Sequence, residues 1–173
     1  MVNVGENDLA FVASHDSSVY GYSMIGHLIT GDKQGNLRSK IVTAKNKIGK
    51  CTVVMHKLLS LVLAVAHFCS VLRLLPTEAL KTITMIVFPG DSTIIATFFN
   101  PRVMLTSVLV RNAVFQVKSV ARDIVNICPQ ATVHLTWIEG AINISDLNSK
   151  LQLRPIMALN SNMYRYGPSI YPD

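Results

Sequence analysis

The sequence predicts an α/β fold, a mixed five-stranded sheet flanked by helices. Three observations predict it. Five short segments are rich in β-branched and apolar residues, two longer ones repeat apolar residues at helical spacing, and the order along the chain is βββ-α-β-α-α-β-α. Three hairpin-connected strands followed by helical crossovers make a sheet that starts antiparallel and continues parallel. With 173 residues and 50% hydrophobic content, the chain can bury a sizeable core in one domain. The expected division is a domain over residues 1–150 and an irregular C-terminal extension over 151–173.

The first three strands are LAFVASH, YGYSMIGHLIT and LRSKIVTA, the last two separated by the polar turn cluster GDKQGN at residues 31–36. An apolar helix over about 55–75 follows and is closed by Pro76. TITMIVF, residues 82–88, alternates as a fourth strand, a short helix starts near Ser92, and Pro101 interrupts it. From Leu109 to Ile127 the spacing is helical, with Val110, Ala113, Val114, Val117, Ala121, Ile124 and Val125 on one stripe. Pro129 ends that helix, and ATVHLTWIE reads as the fifth strand, with Val133, Leu135 and Trp137 on one face. Asn143 or Ser145 can then cap a short helix carrying Asp146 in its first turn.

Charge is unevenly placed. The formal net charge is +6, and from Lys33 to Lys57 the chain carries Lys33, Arg38, Lys40, Lys45, Lys47, Lys50 and Lys57 with no acid between them. Such a run is either a solvated basic face or a surface that tracks phosphates. Cys51, Cys69 and Cys128 form no CxxC pair, which points to a reducing compartment, cytoplasmic or nuclear, and away from a structural zinc site. The first residues, MVNVGENDLAFV, lack the basic start and apolar core of a signal peptide. Residues 58–72, LLSLVLAVAHFCSVL, hold no formal charge, but they fall short of the roughly 20 apolar residues of a spanning helix and read as a buried core helix. His15, His56 and His134 match no zinc-ligand spacing and read as isolated surface histidines. His67 reads as a hydrogen-bonded core residue, and Trp137, Tyr164 and Tyr166 read as packing groups rather than base-stacking ones.

Three acids sit at the ends or middles of elements: Asp16 in HDSSVYGYS, Asp91 in PGDSTII and Asp146 in EGAINISDLNSK. Taken singly they are a turn Asp, a helix N-cap and a first-turn Asp facing a helix dipole. Taken together in this topology they resemble the acidic set of the ribonuclease H fold. DSSVYGYSMIGHLI is similar to the DAS-x-x-x-YG segment of the RNase H-like domain of LTR retroelement polyproteins, the BEL/Pao group in particular. AKNKIGKCTVVMHKLLSLVLAV resembles that family's AKS…TVPRLELLA stretch, GDSTIIATFF its SDST segment and WIEGAINISDLNSK its HVPG-x-x-NPAD-x-x-SR segment. NSNMYRYGPSIY resembles the S-x-x-W-x-x-GP ending, so five segments match in order.

The resemblance implies a ribonuclease H-like fold and hydrolysis of the RNA strand of RNA–DNA hybrids. It puts Asp16, Asp91 and Asp146 as ligands of two Mg2+ (or Mn2+) ions, with other domains of a retroelement polyprotein as further partners. It also puts Lys57 where the family has a catalytic Glu. An ammonium roughly 5 Å from a divalent ion is repelled by about 6–7 kcal/mol at an effective dielectric near 20, so two-ion occupancy is impaired. Glu78 cannot replace it, because it lies beyond Pro76 at the far end of the helix. Whether the chain is an enzyme is therefore open. One alternative is a catalytically dead remnant that binds nucleic acid through Lys33, Arg38, Lys40, Lys45, Lys47 and Lys50. A more distant one is a small membrane-associated protein anchored by residues 58–75.

Overall fold

In the computed structural model, residues 9–32, 34, 36–49, 52–143 and 145 are described. The expected extension over 151–173 lies outside them, as do Lys33, Lys50, Asp146, Tyr164 and Tyr166. Five strands form one sheet: β1 (Leu9–Ser18), β2 (Gly21–Gly31), β3 (Leu37–Ile48), β4 (Ile83–Gly90) and β5 (Thr132–Trp137). The helices are α1 (Val53–Leu74), α2 (Thr77–Lys81), α3 (Ile94–Phe99) and α4 (Val108–Ile127), followed by a 3-10 turn over Gly140–Ile142. The sheet order is β3-β2-β1-β4-β5. The first three strands pair antiparallel, β4 runs parallel to β1, and β5 runs parallel to β4.

β1 and β4 occupy the middle of the sheet, so both their faces are buried and their sequences read as near-continuous apolar runs. On one face, α1 and α4 close the larger cluster. Phe68 of α1 sits between Phe11 of β1 and Phe88 of β4, with ring centroids 5.0 and 5.8 Å away, and Leu58, Leu61, Leu72, Val114, Val117 and Ile124 complete the packing. On the other face, Ala10, Val12, Ile25, Ile29 and Val87 form a second cluster. Alternation along β1 divides these sets, with Phe11 and Ala13 towards α1 and Ala10 and Val12 away from it.

Local signals set the ends of the helices. Thr52 accepts a hydrogen bond from the backbone N–H of Met55 and caps α1, and Ser107 does the same for Val110 at the start of α4. α1 stops at Leu74 because the residue before a proline is pushed out of the helical region, and Leu75 is extended. By length and composition α1 could cross a bilayer, yet Leu58, Leu61, Ala64, Val65, Phe68 and Leu72 are buried on the sheet, as a core helix requires.

The expected elements appear with several differences, among them β1 and β4 running on to Ser18 and Gly90 past the expected His15 and Phe88. β3 continues four residues past the expected Ala44, because β2 is long enough to pair it as far as Gly21–Ile48. Thr77–Lys81 forms the short helix α2, which the sequence does not signal. Val125, expected on the buried stripe of α4, is 44% exposed; the buried positions of that helix are Ala113, Val114, Val117 and Ile124.

The β1–β2 hairpin turns through two residues, Val19 and Tyr20, and at its base a Cβ on Gly21 would run into the carbonyl oxygen of Lys47 on β3. Gly21 therefore permits the close approach of β2 and β3 at this end. Gly21→Ala is expected to destabilise the domain by about 1–3 kcal/mol, because the clash is with backbone that cannot swing away. Thermal unfolding checks this: the midpoint should fall by roughly 3–10 °C.

Candidate functional site

The face of the sheet under α1 carries a compact polar group. Asp91 follows the last residue of β4, and its Oδ1 lies 3.6 Å from Nζ of Lys57 in the second turn of α1. Both side chains are partly exposed, at 21% and 28%. One turn further along α1, the Ser60 hydroxyl donates to the Lys57 carbonyl oxygen at 2.7 Å. With its proton committed there, Ser60 Oγ can accept only from the ring, so Nδ1–H of His15 donates to it at 2.9 Å. The imidazole of His15 lies against β4, where a Cβ on Gly90 would come within 2.6 Å of Nε2. Gly90 is thus the residue that makes room for it.

Burial decides the charge of His15. Desolvation first, and then the Lys57 ammonium, lower its pKa from 6.5 to about 3, so the ring is neutral. His27, buried on β2, is lowered to about 4 by desolvation. Asp91 is held from two sides, by Lys57 at its carboxylate and by the Trp137 indole N–H, which donates to its backbone carbonyl at 3.0 Å.

Cross-strand partners in an antiparallel ladder project to the same face. His15 pairs with Met24, which belongs to the cluster under α1, whereas Ser14 pairs with Ile25 of the opposite cluster. Asp16 pairs with Ser23 and so projects with Ser14 and Ile25, away from α1. On that side the Ser23 hydroxyl donates to the Ser145 carbonyl, the Ser145 hydroxyl to the Ser14 carbonyl, and the Asn143 side-chain amide to the His15 carbonyl. Of the acids expected to act together, the structure brings Asp91 to Lys57 and turns Asp16 to the other face, while Asp146 lies outside the described residues.

The residue of β1 that faces Lys57 is His15, one position before the expected acid. The signal for it is the alternation Phe11, Ala13, His15, which puts His15 on the face of the core residues. Two of the three expected surface histidines are buried. His15 is held by Ser60, and His56 donates through Nδ1–H to the carbonyl of Ser18 at 2.9 Å, joining the first turn of α1 to the end of β1. His67 is hydrogen-bonded as expected, to Thr43 Oγ1 at 2.7 Å.

A two-ion centre needs several anionic oxygens converging on one volume. Among the described residues, the group under α1 holds one carboxylate, already paired with an ammonium, beside a neutral imidazole whose Nδ1 is spent on Ser60. Among the described residues no three His, Cys, Asp or Glu side chains are grouped to hold a metal ion. The described donors on this face do not by themselves fit a pair of divalent cations.

The buried histidines predict an acid-labile fold. Unfolded, each titrates near 6.5; folded, His15 and His27 take up a proton only near 3 and 4. Between those values the unfolded chain binds more protons, so their stability contribution is complete above about pH 6.5 and is lost as the pH falls. Each contributes up to about 1.4 kcal/mol per pH unit in that window. Denaturant midpoints measured from pH 7 to 4.5 should fall steadily, and Lys57→Met should raise the pKa of His15, read by NMR titration, by removing the neighbouring cation.

The sequence matches no protein-family model, and comparison with curated proteins finds no relative. Solved structures do match. Ribonuclease H1 of the halophilic archaeon Halobacterium salinarum superposes with a TM-score of 0.59 at 15% identity, covering 83% of this chain and 97% of that one. The N-terminal RNase H domain of a Mycobacterium tuberculosis protein superposes at 0.55 and 11% identity, covering 87% and 96%. At such identities the similarity speaks for architecture, and with the sheet order and the central α1 it shows that this chain has the ribonuclease H-like fold.

Proposed function

We propose that this domain binds nucleic acid on the α1 side of its sheet, and that the hydrolytic centre associated with its fold is disabled by the Lys57–Asp91 ion pair. That pair, at 3.6 Å, is the observation that carries the proposal. It neutralises the carboxylate at the end of β4 and sets a cation against the oxygens that a metal would need. What remains is a positively charged domain in which Arg38, Lys40, Lys45 and Lys47 are exposed on β3. Phosphate binding needs only correctly placed cations and does not depend on a catalytic centre. A hybrid or other nucleic acid with A-like geometry is the preferred partner, because such surfaces read groove width and 2′-hydroxyls rather than base sequence.

The five segments that resemble BEL/Pao polyproteins support an origin in an LTR retroelement, with further polyprotein domains as partners. Cys69 and Cys128, both buried as thiols, support a reducing compartment, cytoplasmic or nuclear. A second reading, Mg2+- or Mn2+-dependent hydrolysis of the RNA strand of a hybrid with Asp16, Asp91 and Asp146 as ligands, is favoured by the placement of Asp91 at the end of β4. It requires that Lys57 be displaced and that Asp16, which projects from the other face of β1, reach the same ion.

Fluorescence anisotropy with a labelled hybrid tests binding. With four cations engaged, affinity should fall by about 50- to 150-fold between 50 and 200 mM salt, and the hybrid should bind more tightly than duplex DNA. Failure to bind either nucleic acid at low salt would overturn the proposal. In Mg2+ or Mn2+ the unmodified chain should leave the hybrid intact, while Lys57→Glu should bind Mn2+ more tightly by calorimetry. Cleavage by the unmodified chain as fast as by the Lys57→Glu variant would show that the ion pair is not the block.

A further inference from the structure

The basic residues of β3 are divided by an irregularity in the ladder. From Leu37 to Ile41 the strand pairs with Gly31 to His27, and from Thr43 to Ile48 with Gly26 to Gly21. Val42 is the extra residue, a β-bulge. In an unbroken strand Arg38 and Lys40, at even positions, would point to one face, and Lys45 and Lys47, at odd positions, to the other. The bulge reverses the second half. Arg38 and Lys40 stand opposite Thr30 and Leu28, and Lys45 and Lys47 opposite Met24 and Tyr22. Leu28, Met24 and Tyr22 all pack with the cluster under α1. Thr43, opposite Gly26, confirms the facing, since its hydroxyl meets His67 of α1 at 2.7 Å. The charge of Lys45 is felt at His67 as well, where it adds to desolvation in lowering the pKa.

We propose that the Val42 bulge assembles Arg38, Lys40, Lys45 and Lys47 into a single row on the α1 face of the edge strand, and that this row takes successive phosphates of one nucleic-acid strand. The proposal rests on the nucleic-acid reading above and names the surface and the device that builds it. Measured against β2, the row occupies every second position from Thr30 to Tyr22, with Thr43 filling the middle step. Each step is about 6.7 Å, comparable with the separation of neighbouring phosphates along a strand. The exposed positions between the lysines carry no charge: Ala44 and Asn46 face the other way, opposite Ile25 and Ser23. Cations and bulges also discourage edge-to-edge pairing of sheets, but that protection works equally well with charges on either face. Gathering all four on one face is what a linear polyanion requires.

The test moves two charges without changing composition. In the quadruple variant Ala44→Lys, Lys45→Ala, Asn46→Lys and Lys47→Asn, two cations change face at positions that are all exposed, so the net charge is unaltered. Binding of the labelled hybrid is measured against salt for the unmodified chain, this variant and Lys45→Gln/Lys47→Gln. Both variants should flatten the slope of log affinity against log salt by about 1.4–1.8 and lower the affinity on the order of 30-fold at 100 mM salt, taking the affinities to converge near 1 M. If the Gln variant loses slope and the quadruple variant does not, net charge alone matters and the role of the bulge is overturned. If neither loses slope while the unmodified chain binds, the row is not the interface, although the nucleic-acid reading stands. If the unmodified chain does not bind at low salt, that reading fails and takes the row with it.

Discussion

The packing of α1 across β1, β2 and β4 is the constraint from which the rest of the molecule follows. Phe68 fills the space between Phe11 and Phe88, and Leu58, Leu61 and Leu72 extend that contact along the helix. Once α1 is seated, every position of β1 is assigned to one face or the other by a period of two, with no freedom to slip. The start of the helix is pinned separately, by the Thr52 cap and by His56 bound to the Ser18 carbonyl. Lys57 comes next in the chain, and these two anchors deliver it to the end of β4.

The polar group beneath α1 follows from that placement. A buried histidine is tolerated because its ring is neutral, bonded to Ser60 and laid over a glycine. A cation is tolerated because a carboxylate faces it, and the carboxylate because of the cation. Each member makes the others tolerable, and among the described residues of this group the charges of Lys57 and Asp91 cancel. In this ribonuclease H-like fold the carboxylate at the end of β4 is therefore matched by a cation from α1. The positive charge on the neighbouring edge strand lies apart from this group, on Arg38, Lys40, Lys45 and Lys47 of β3.

Composition and periodicity determined much of the architecture. Runs of β-branched residues with period two predict the strands, the apolar stretch ending at Pro76 predicts the core helix, and the βββ-α-β-α-α-β-α order predicts the mixed sheet. These features are local or nearly so, and the chain carries them whatever it packs against. The identity of Lys57 and its approach to the same end of the sheet as Asp91 were also legible, since helix spacing and strand ends place both there.

What only the tertiary structure decided is facing. A one-residue offset separates Asp16 from His15, and alternation along LAFVASHDSS sorts them to opposite faces, both apolar, without saying which face meets α1; the register with Met24 and Ser23 does. The same holds on β3, where the charges of Lys45 and Lys47 are plain in the sequence but the face they occupy depends on an unpaired Val42. Burial of His15 and His56 likewise depends on partners 45 and 38 residues away, Ser60 and Ser18. The physical reason is common to all three. A strand presents its residues alternately to two environments, and the choice between them is made by pairing and packing energies that arise only when distant segments meet.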